Sequence, residues 1–149
     1  MPTHHVTRQF RWEAAHRLAC DYDGKCAQNH GHSWLATVQV TLRPGVALSE
    51  AGFVIDFAEM KRVQHWLDDY WDHATLVDSR DQSFLHFLRD DNQKHYVLEA
   101  RSPSSEELCA ELLRVASELL DDDRCYVSEV RIAETCSNEA RLTRDLPID

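Results

Sequence analysis

Residues 30–43 read HGHSWLATVQVTLR and alternate between apolar and polar side chains along most of their length. Because successive side chains of a strand point to opposite faces, this alternation predicts a β-strand with one buried face. His30 and His32 share the parity of the apolar positions, which are Trp34, Ala36, Val38, Val40 and Leu42. We therefore expect two imidazoles at one end of a buried strand face.

A second alternating stretch, residues 5–18, precedes the first and is separated from it by a loop over residues 19–29. Its apolar parity comprises Val6, Phe10, Trp12, Ala14, His16 and Leu18. His16 therefore falls on the buried face, near the end of the predicted strand. Antiparallel pairing of the two strands would bring His16, His30 and His32 together at one end of the inner face.

Three neutral imidazoles with one open coordination position form a catalytic zinc site. The alternatives for these histidines are an exposed pair or members of the core. Cys26, in the loop, also has three interpretations. It is a catalytic acid/base or nucleophile beside the metal, a fourth ligand that closes a structural zinc site, or a small buried apolar side chain.

The middle of the chain carries a helix signal followed by a long connection. Asp56 as N-cap, with Glu59 three residues later as in a capping box, predicts a helix that ends near Trp71. A polar connection then extends to about residue 101, in which residues 84–88 predict a short helix or a packed lid.

The last third of the sequence predicts a second helix and two strands. Ser102 as N-cap would place Pro103 at the favoured first helical position. A strand over residues 125–135 follows, and a short strand over 139–144 ends the pattern. Three apolar residues of the first of these strands are expected on one face, namely Tyr126, Val130 and Ile132. Glu134 continues that parity, so a carboxylate ends an apolar face.

The order strand, strand, helix, helix, strand, strand predicts an α+β domain spanning residues 1–149. Its expected architecture is a four-stranded antiparallel sheet with two helices packed on one face. We find no internal repeat and no domain boundary in the sequence.

Composition narrows the function classes. The formal net charge of −10 disfavours nucleic acid as a partner, which needs a basic surface. No apolar run approaches the roughly 20 residues that span a membrane, and the chain starts without a secretory pattern. The five cysteines include no close CxxC pair, which indicates a reducing compartment, the cytoplasm. A small anionic substrate stays compatible with this charge.

Two further features carry chemistry. Asp72-His73, just beyond the first helix, is either a base with its orienting carboxylate or an ordinary polar helix terminus. Glu134 on an apolar face needs a partner, and a ligand with paired N–H donors would supply one.

Six motifs occur in one order along the chain. They are Phe10-x-x-x-Ala14-Ala15-His16, Cys26-x-x-x-His30-Gly31-His32, Asp56-Phe57, Asp72-His73, Ser102-Pro103-Ser104-Ser105-Glu106 and Glu134-Thr135. This set resembles the 6-pyruvoyl-tetrahydropterin synthase family. Within that family it is most similar to the bacterial branch that makes 6-carboxy-5,6,7,8-tetrahydropterin for queuosine biosynthesis.

The resemblance implies the tunnelling fold, in which three subunits close their sheets into a barrel and two trimers stack into a homohexamer. Active sites then lie between subunits, and the edge strands of each sheet are covered.

The resemblance also implies roles for individual residues. It assigns His16, His30 and His32 as zinc ligands. It assigns Cys26 as the general base, with Asp72 and His73 as a proton-relay pair.

The substrate contacts follow from the same resemblance. Glu134 is expected to anchor the pterin ring through paired hydrogen bonds. Ser104, Ser105 and Thr135 are expected in the same pocket. Arg17 and Lys25 are the candidates for the triphosphate.

The implied enzyme is a zinc-dependent lyase acting on 7,8-dihydroneopterin triphosphate. It would release 6-carboxy-5,6,7,8-tetrahydropterin, acetaldehyde and triphosphate, with zinc as the Lewis acid. Two alternatives stay open. One is a 6-pyruvoyl-type enzyme that only eliminates triphosphate and rearranges the side chain. The other is a non-catalytic pterin-binding protein with a structural zinc.

Overall fold

A computed structural model describes residues 2–146 of the chain. The expected domain, 1–149, reaches past both ends of this range, and Met1 and residues 147–149 lie outside the described residues. Within it the elements follow in the order β1 (His5–His16), β2 (His30–Leu42), α1 (Phe57–Tyr70), β3 (Ala74–Asp78), α2 (Gln82–Asp90), β4 (His95–Leu98), α3 (Ser105–Leu120), β5 (Cys125–Thr135) and β6 (Asn138–Thr143).

The described strands form one mixed sheet in the order β4-β3-β1-β2-β5-β6. The α+β class is confirmed. The expected four-stranded antiparallel sheet with two helices is wrong, because the described residues form six strands and three α-helices. The β1–β2, β2–β5 and β5–β6 pairs are antiparallel, whereas β3 pairs in parallel with both β1 and β4.

The central hairpin-like pair confirms the prediction from alternation. β1 and β2 are antiparallel, with His16 opposite His30 and Ala14 opposite His32. The same-parity residues of both strands form the core of the sheet, and among them Trp12 and Trp34 stack with ring centroids 5.8 Å apart. All three histidines therefore lie at one end of the core face.

The two additional strands come from the segment that was expected to be a long polar connection. β3, α2 and β4 form a β-α-β unit in which α2 packs on β3 through a small apolar cluster, formed by Val77, Phe84, Leu85 and Leu88. The strands of this unit have only five and four residues. Strands this short show no clear period of two, and parallel pairing leaves no hairpin signal in the sequence.

The starts of α1 and α3 follow the cap rule, with a shift of two residues in α3. Asp56 caps α1 and accepts from the Ala58 N–H at 2.8 Å, as expected. The Glu59 carboxylate pairs with Arg62 instead of completing a capping box. The N-cap of α3 is Ser104 rather than Ser102, because the Ser104 hydroxyl accepts from the Glu107 N–H at 3.3 Å.

A bulge in β5 changes the expected parity of that strand. Gln39 of β2 pairs with Glu129 and Val40 with Val127, so Ser128 is the extra residue. The buried apolar residues are Cys125 and Val127 before the bulge, and Val130 and Ile132 after it. Tyr126 is therefore not on the face of Val130 and Ile132, because one inserted residue reverses the alternation.

Helices α1 and α3 cover one face of the sheet, whereas α2 packs on the opposite face, against Val77. α1 contributes Met60, Val63 and Leu67 to the core, and α3 contributes an apolar stripe that begins at Leu108. Of the helices in residues 2–146, none has the length and apolar character needed to cross a membrane.

Candidate metal centre and catalytic site

Three histidines meet where β1 and β2 end. A candidate ligand nitrogen from each of His16, His30 and His32 lies within 4.8 Å of the other two. The period of two of each strand places them on one face, and the register of the pair brings the two strand ends together. The structure thus assembles the predicted set, and these residues could hold a metal ion.

Hydrogen bonds to backbone carbonyls fix the tautomers of two rings. His16 Nδ1 lies 2.7 Å from the carbonyl oxygen of Pro103, and His30 Nδ1 lies 2.7 Å from that of Gln28. Since a carbonyl oxygen can only accept, each Nδ1 carries the hydrogen in the neutral ring. Both Nε2 atoms then present lone pairs, which is the state in which histidine binds a metal.

Those two Nε2 atoms are 3.0 Å apart. Two lone pairs at this distance repel each other unless a cation or a proton lies beside them. His32 Nε2 is also buried without a hydrogen-bond partner. The donor set therefore fits a metal ion with nitrogen ligands, and three imidazoles leave a coordination position open.

Burial favours the neutral form of two of the rings, those of His16 and His32. The side chain of His16 is almost fully buried, and burial is the main cause that lowers its pKa, to which the nearby His30 adds. Burial also lowers the pKa of His32. A depressed imidazole pKa favours the unprotonated form that a metal needs.

Cys26 lies in the loop between β1 and β2, within a short 3₁₀ turn over Lys25–Ala27. Its carbonyl oxygen accepts from the Leu18 N–H at 2.8 Å, which ties the turn back to the end of β1. The side chain is partly buried. Cys26 is not in the histidine group, which among the described residues contains no sulfur.

Glu134 lies beside the histidines near the end of β5, where the pairing with β6 is irregular between Ala133 and Thr135. One carboxylate oxygen accepts from the Ser105 hydroxyl at 2.7 Å, and the other lies 4.0 Å from His32 Nε2. The second distance is too long for a hydrogen bond. One oxygen of Glu134 is thus held by α3 and the other is available to a ligand.

Asp72 and His73 are hydrogen-bonded to each other just after the end of α1. His73 Nδ1 lies 2.8 Å from Asp72 Oδ2, and the Glu13 N–H donates to Asp72 Oδ1 at 2.8 Å. Burial opposes ionisation of Asp72, but the bonds from Glu13 and His73 outweigh it and lower the pKa of the carboxyl. An ionised Asp72 keeps the hydrogen of His73 on Nδ1 and leaves Nε2 for proton transfer.

One residue of the pair and one of the three histidines line the same surface cavity. His73 and His32 both line it, together with Glu13, Ser33 and Lys94. His73 has a positive φ of 56°, and its side chain is 77% exposed. The imidazole of His73 is therefore accessible to solvent at this cavity.

The other predicted substrate residues have separate surroundings. Ser104 is committed to capping α3, whereas Ser105 reaches Glu134. Thr135 is exposed, and its hydroxyl accepts from the Ser137 N–H at 3.3 Å. Lys25 lies in the same short turn as Cys26.

Arg17, the other triphosphate candidate, is already paired. Its Nε and Nη2 each donate to the Asp81 carboxylate at 2.7 Å. The structure therefore places Arg17 against the unit formed by β3, α2 and β4.

Sequence reasoning missed the groups that orient the site. The carbonyls of Pro103 and Gln28 set the tautomers of two histidines, and no side-chain pattern marks a carbonyl. Glu13 holds Asp72 through its N–H and accepts from the His73 N–H at 2.6 Å through its carbonyl. Its position just before the Ala14-Ala15-His16 motif was the one available signal.

Comparison with known proteins identifies relatives of this chain. A family model described as 6-pyruvoyl tetrahydropterin synthase matches residues 5–145. A 6-carboxy-5,6,7,8-tetrahydropterin synthase from Synechocystis is 30% identical over 138 residues, which cover 91% of this chain and 90% of the relative. The Haemophilus influenzae protein of the same name is 27% identical over 134 residues, covering 87% and 92%.

Solved structures show the same fold. An uncharacterized protein from Wolinella succinogenes superposes with a TM-score of 0.83 at 19% identity, covering 97% of this chain and all of that one. The 6-pyruvoyl tetrahydropterin synthase of Caenorhabditis elegans superposes with a TM-score of 0.68 at 21% identity, covering 97% and 98%.

Proposed function

Because this chain belongs to the 6-pyruvoyl tetrahydropterin synthase family, we propose that it is a zinc-dependent lyase acting on 7,8-dihydroneopterin triphosphate. The proposed products are 6-carboxy-5,6,7,8-tetrahydropterin, acetaldehyde and triphosphate, with one water consumed. The relatives from Synechocystis and Haemophilus influenzae, both named for the carboxy product, support this choice over the pyruvoyl product.

One observation carries the proposal. The unprotonated nitrogens of His16 and His30 converge at 3.0 Å beside the carboxylate of Glu134. One of its oxygens is available, and the other accepts from Ser105 with a second lone pair left, so both oxygens can take an N–H donor. A metal ligand set next to a group that accepts paired N–H donors suits a pterin with an oxygen-bearing side chain. Glu134 would hold the 2-amino and N3–H edge of the ring and so direct the side chain towards the histidines.

Zinc fits the ligand set, because neutral imidazoles are among its preferred ligands and the three nitrogens leave a position open. When bound, zinc supplies Lewis acidity that lowers the pKa of substrate hydroxyls.

The protein groups then handle the protons. Cys26 is proposed to take a proton from the substrate side chain as its thiolate. His73, held by Asp72 at 2.8 Å, is proposed to exchange a proton through Nε2 from the other side. Cys26 comes from the β1–β2 loop and His73 from the end of α1, so the two groups reach the substrate from different elements.

The same proposal includes the pathway, the compartment and the oligomeric assembly of the enzyme. Queuosine biosynthesis in the cytoplasm is the proposed pathway. A homohexamer of two trimers is the proposed assembly, and it would cover β4 and β6, the strands at the two edges of the sheet.

The test is an anaerobic incubation of zinc-loaded protein with 7,8-dihydroneopterin triphosphate, followed by mass spectrometry of pterins and trapped aldehyde. Carboxytetrahydropterin with acetaldehyde is the expected result. Pyruvoyltetrahydropterin without aldehyde would assign the protein to the pyruvoyl reaction. Unchanged substrate would contradict the enzyme proposal and favour a pterin-binding protein.

A pair of cysteine variants tests the assignment of the base. Cys26→Ala should keep zinc and lose turnover. Cys125→Ala is the matched control, because Cys125 lies at the opposite end of the sheet, paired with Leu42, and should leave turnover intact. Wild-type turnover in Cys26→Ala would overturn the assignment. X-ray absorption with sulfur in the zinc shell would identify Cys26 as a ligand instead.

A further inference from the structure

The carboxylate of Asp81 does not cap the helix that it precedes. Asp81 occupies the N-cap position of α2, yet its side chain accepts from no N–H of that helix. An aspartate at this position ordinarily accepts from the second or third helical N–H. Both oxygens of Asp81 are instead taken by Arg17, through Nε and Nη2 at 2.7 Å each. Asp81 therefore binds a residue 64 positions away in the sequence instead of capping its own helix.

Arg17 is held by more than this pair. Its guanidinium carbon lies 4.2 Å from the centre of the Phe84 ring, and Nη2 also lies 3.3 Å from the Ser83 hydroxyl. Asp81 is 8% exposed, so the ion pair is partly shielded from water. A two-point bond from a planar fork, with an aromatic ring on its face, fixes both the position and the orientation of the side chain.

The pair lies next to the loop that carries Cys26. Arg17 directly follows His16, the last residue of β1, and directly precedes Leu18. The Leu18 N–H donates to the carbonyl of Cys26 at 2.8 Å. One residue therefore separates the end of β1 from the bond that closes the loop onto Cys26, and that residue is anchored to α2.

We propose that the Arg17–Asp81 pair positions the loop that carries Cys26, so that the Cys26 thiol is held where it can react. This inference rests on the proposed function of Cys26. The β3-α2-β4 unit would then support the loop through this pair, from outside the central strands. Arg17 and Asp81 act through the backbone of Leu18 and Cys26 and touch no reacting atom.

A contact between Arg17 and the triphosphate is the competing explanation. It predicts a different dependence on Asp81. If Arg17 binds the triphosphate, neutralising Asp81 should leave the affinity for triphosphate unchanged or raise it. If Arg17 and Asp81 position the loop together, changing either residue should impair the position of the loop.

The experiment compares Arg17→Lys, Asp81→Asn and the double variant with the wild-type chain. Asp90→Asn is the matched control, because it makes the same change at the exposed far end of the same helix. The first readout is the rate of Cys26 alkylation by iodoacetamide, followed by peptide mass spectrometry to separate it from the other cysteines. The second is the split between kcat and KM, together with inhibition by inorganic triphosphate.

For a positioning pair, each single variant should change the Cys26 alkylation rate and lower kcat, both by roughly tenfold or more. KM and inhibition by triphosphate should stay near the wild-type values. The kcat of the double variant should be no lower than that of the more impaired single variant, because both changes remove the same interaction.

Two results would overturn the proposal. One is an unchanged alkylation rate in both single variants. The other is a raised KM and weaker triphosphate inhibition in Arg17→Lys while Asp81→Asn keeps both at wild-type values. Arg17→Lys retains a cation beside Asp81, so it still carries the test if Asp81→Asn fails to fold. Alkylation needs no turnover, so it decides this inference even if the lyase proposal fails.

Discussion

The Nε2 atoms of His16 and His30 face each other across 3.0 Å, although each ring already donates through Nδ1 to a backbone carbonyl. The backbone therefore commits both rings to the tautomer that leaves two lone pairs in contact. A cation beside them would remove the repulsion, so the nitrogens at these two strand ends form a set that could hold a metal ion.

Removing one of these ligands should remove the metal. His16→Gln should purify with less than about a tenth of the wild-type zinc content. Losing one of three ligands weakens binding by more than the roughly 10- to 100-fold typical of losing a group that only orients a ligand. Metal content by mass spectrometry and competition with a chelator measure this. His65→Gln changes an exposed histidine of α1 and should keep its zinc. Full zinc content in His16→Gln would place the metal elsewhere.

The Asp72–His73 pair should affect turnover rather than substrate binding. His73→Gln should lower kcat by about 10²- to 10⁴-fold, the usual contribution of a general acid or base, with KM changed little. Asp72→Asn should lower kcat less, because it leaves the ring in place but removes the carboxylate that holds its tautomer. Steady-state kinetics on the zinc-loaded protein measure both. A raised KM with an intact kcat would make His73 a binding residue.

Glu134 should determine affinity for the pterin ring. Glu134→Gln replaces one acceptor oxygen by a donor, so one of the two ring hydrogen bonds is lost and a donor faces a donor. We expect affinity to fall by roughly 2 kcal/mol, about 30-fold. Titration of a dihydropterin followed by fluorescence measures it. Glu50→Gln, an exposed control remote in sequence from the site, should bind normally. Equal affinity in both variants would remove Glu134 from the pocket.

A buried carboxylate of α3 should contribute strongly to stability. Glu111 accepts from Arg101 and Arg114 at 2.8 Å each, and also binds the Tyr96 hydroxyl of β4. Glu111→Gln should lower the free energy of unfolding by about 3 kcal/mol, because it leaves charges without their buried partner. Urea denaturation at neutral pH measures this. Glu118→Gln, on the same helix but exposed, should cost well under 1 kcal/mol, roughly the value of a surface pair.

The contribution of Glu111 to stability should also depend on pH. Burial alone would raise the pKa of Glu111, but its hydrogen-bond partners, Arg114 first, outweigh burial and lower the pKa to about 2 from 4.5. The stabilisation is therefore fully present above pH 4.5 and is lost as the pH falls towards 2. The difference between wild type and Glu111→Gln should shrink over that window. A difference that is constant with pH would show that the charge of Glu111 is not the cause.

Some features were readable from the sequence because they depend on local periodicity. Alternation in residues 5–18 and 30–43 predicted the two central strands, and the shared parity of His16, His30 and His32 predicted that they would meet. The Asp56 cap of α1 was also readable, because a cap acts on the next three residues. The family motifs added roles for Cys26, Asp72 and Glu134 that spacing alone left open.

Other features needed the chain to be folded. The strands β3 and β4 are too short to show a period, and they join the sheet by parallel pairing of β3 with β1 and of β4 with β3. The bulge at Ser128 reverses the parity of β5 through its pairing with β2.

The orientation of the site belongs to this second group. The order of residues along β1 and β2 is enough to assign each side chain to a face, because successive side chains of a strand point to opposite sides. The contacts of the Pro103 carbonyl with His16 and of Asp81 with Arg17 depend instead on how the folded elements pack. These contacts join residues 87 and 64 positions apart, and distances of that kind are set by packing, which leaves no local pattern in the chain.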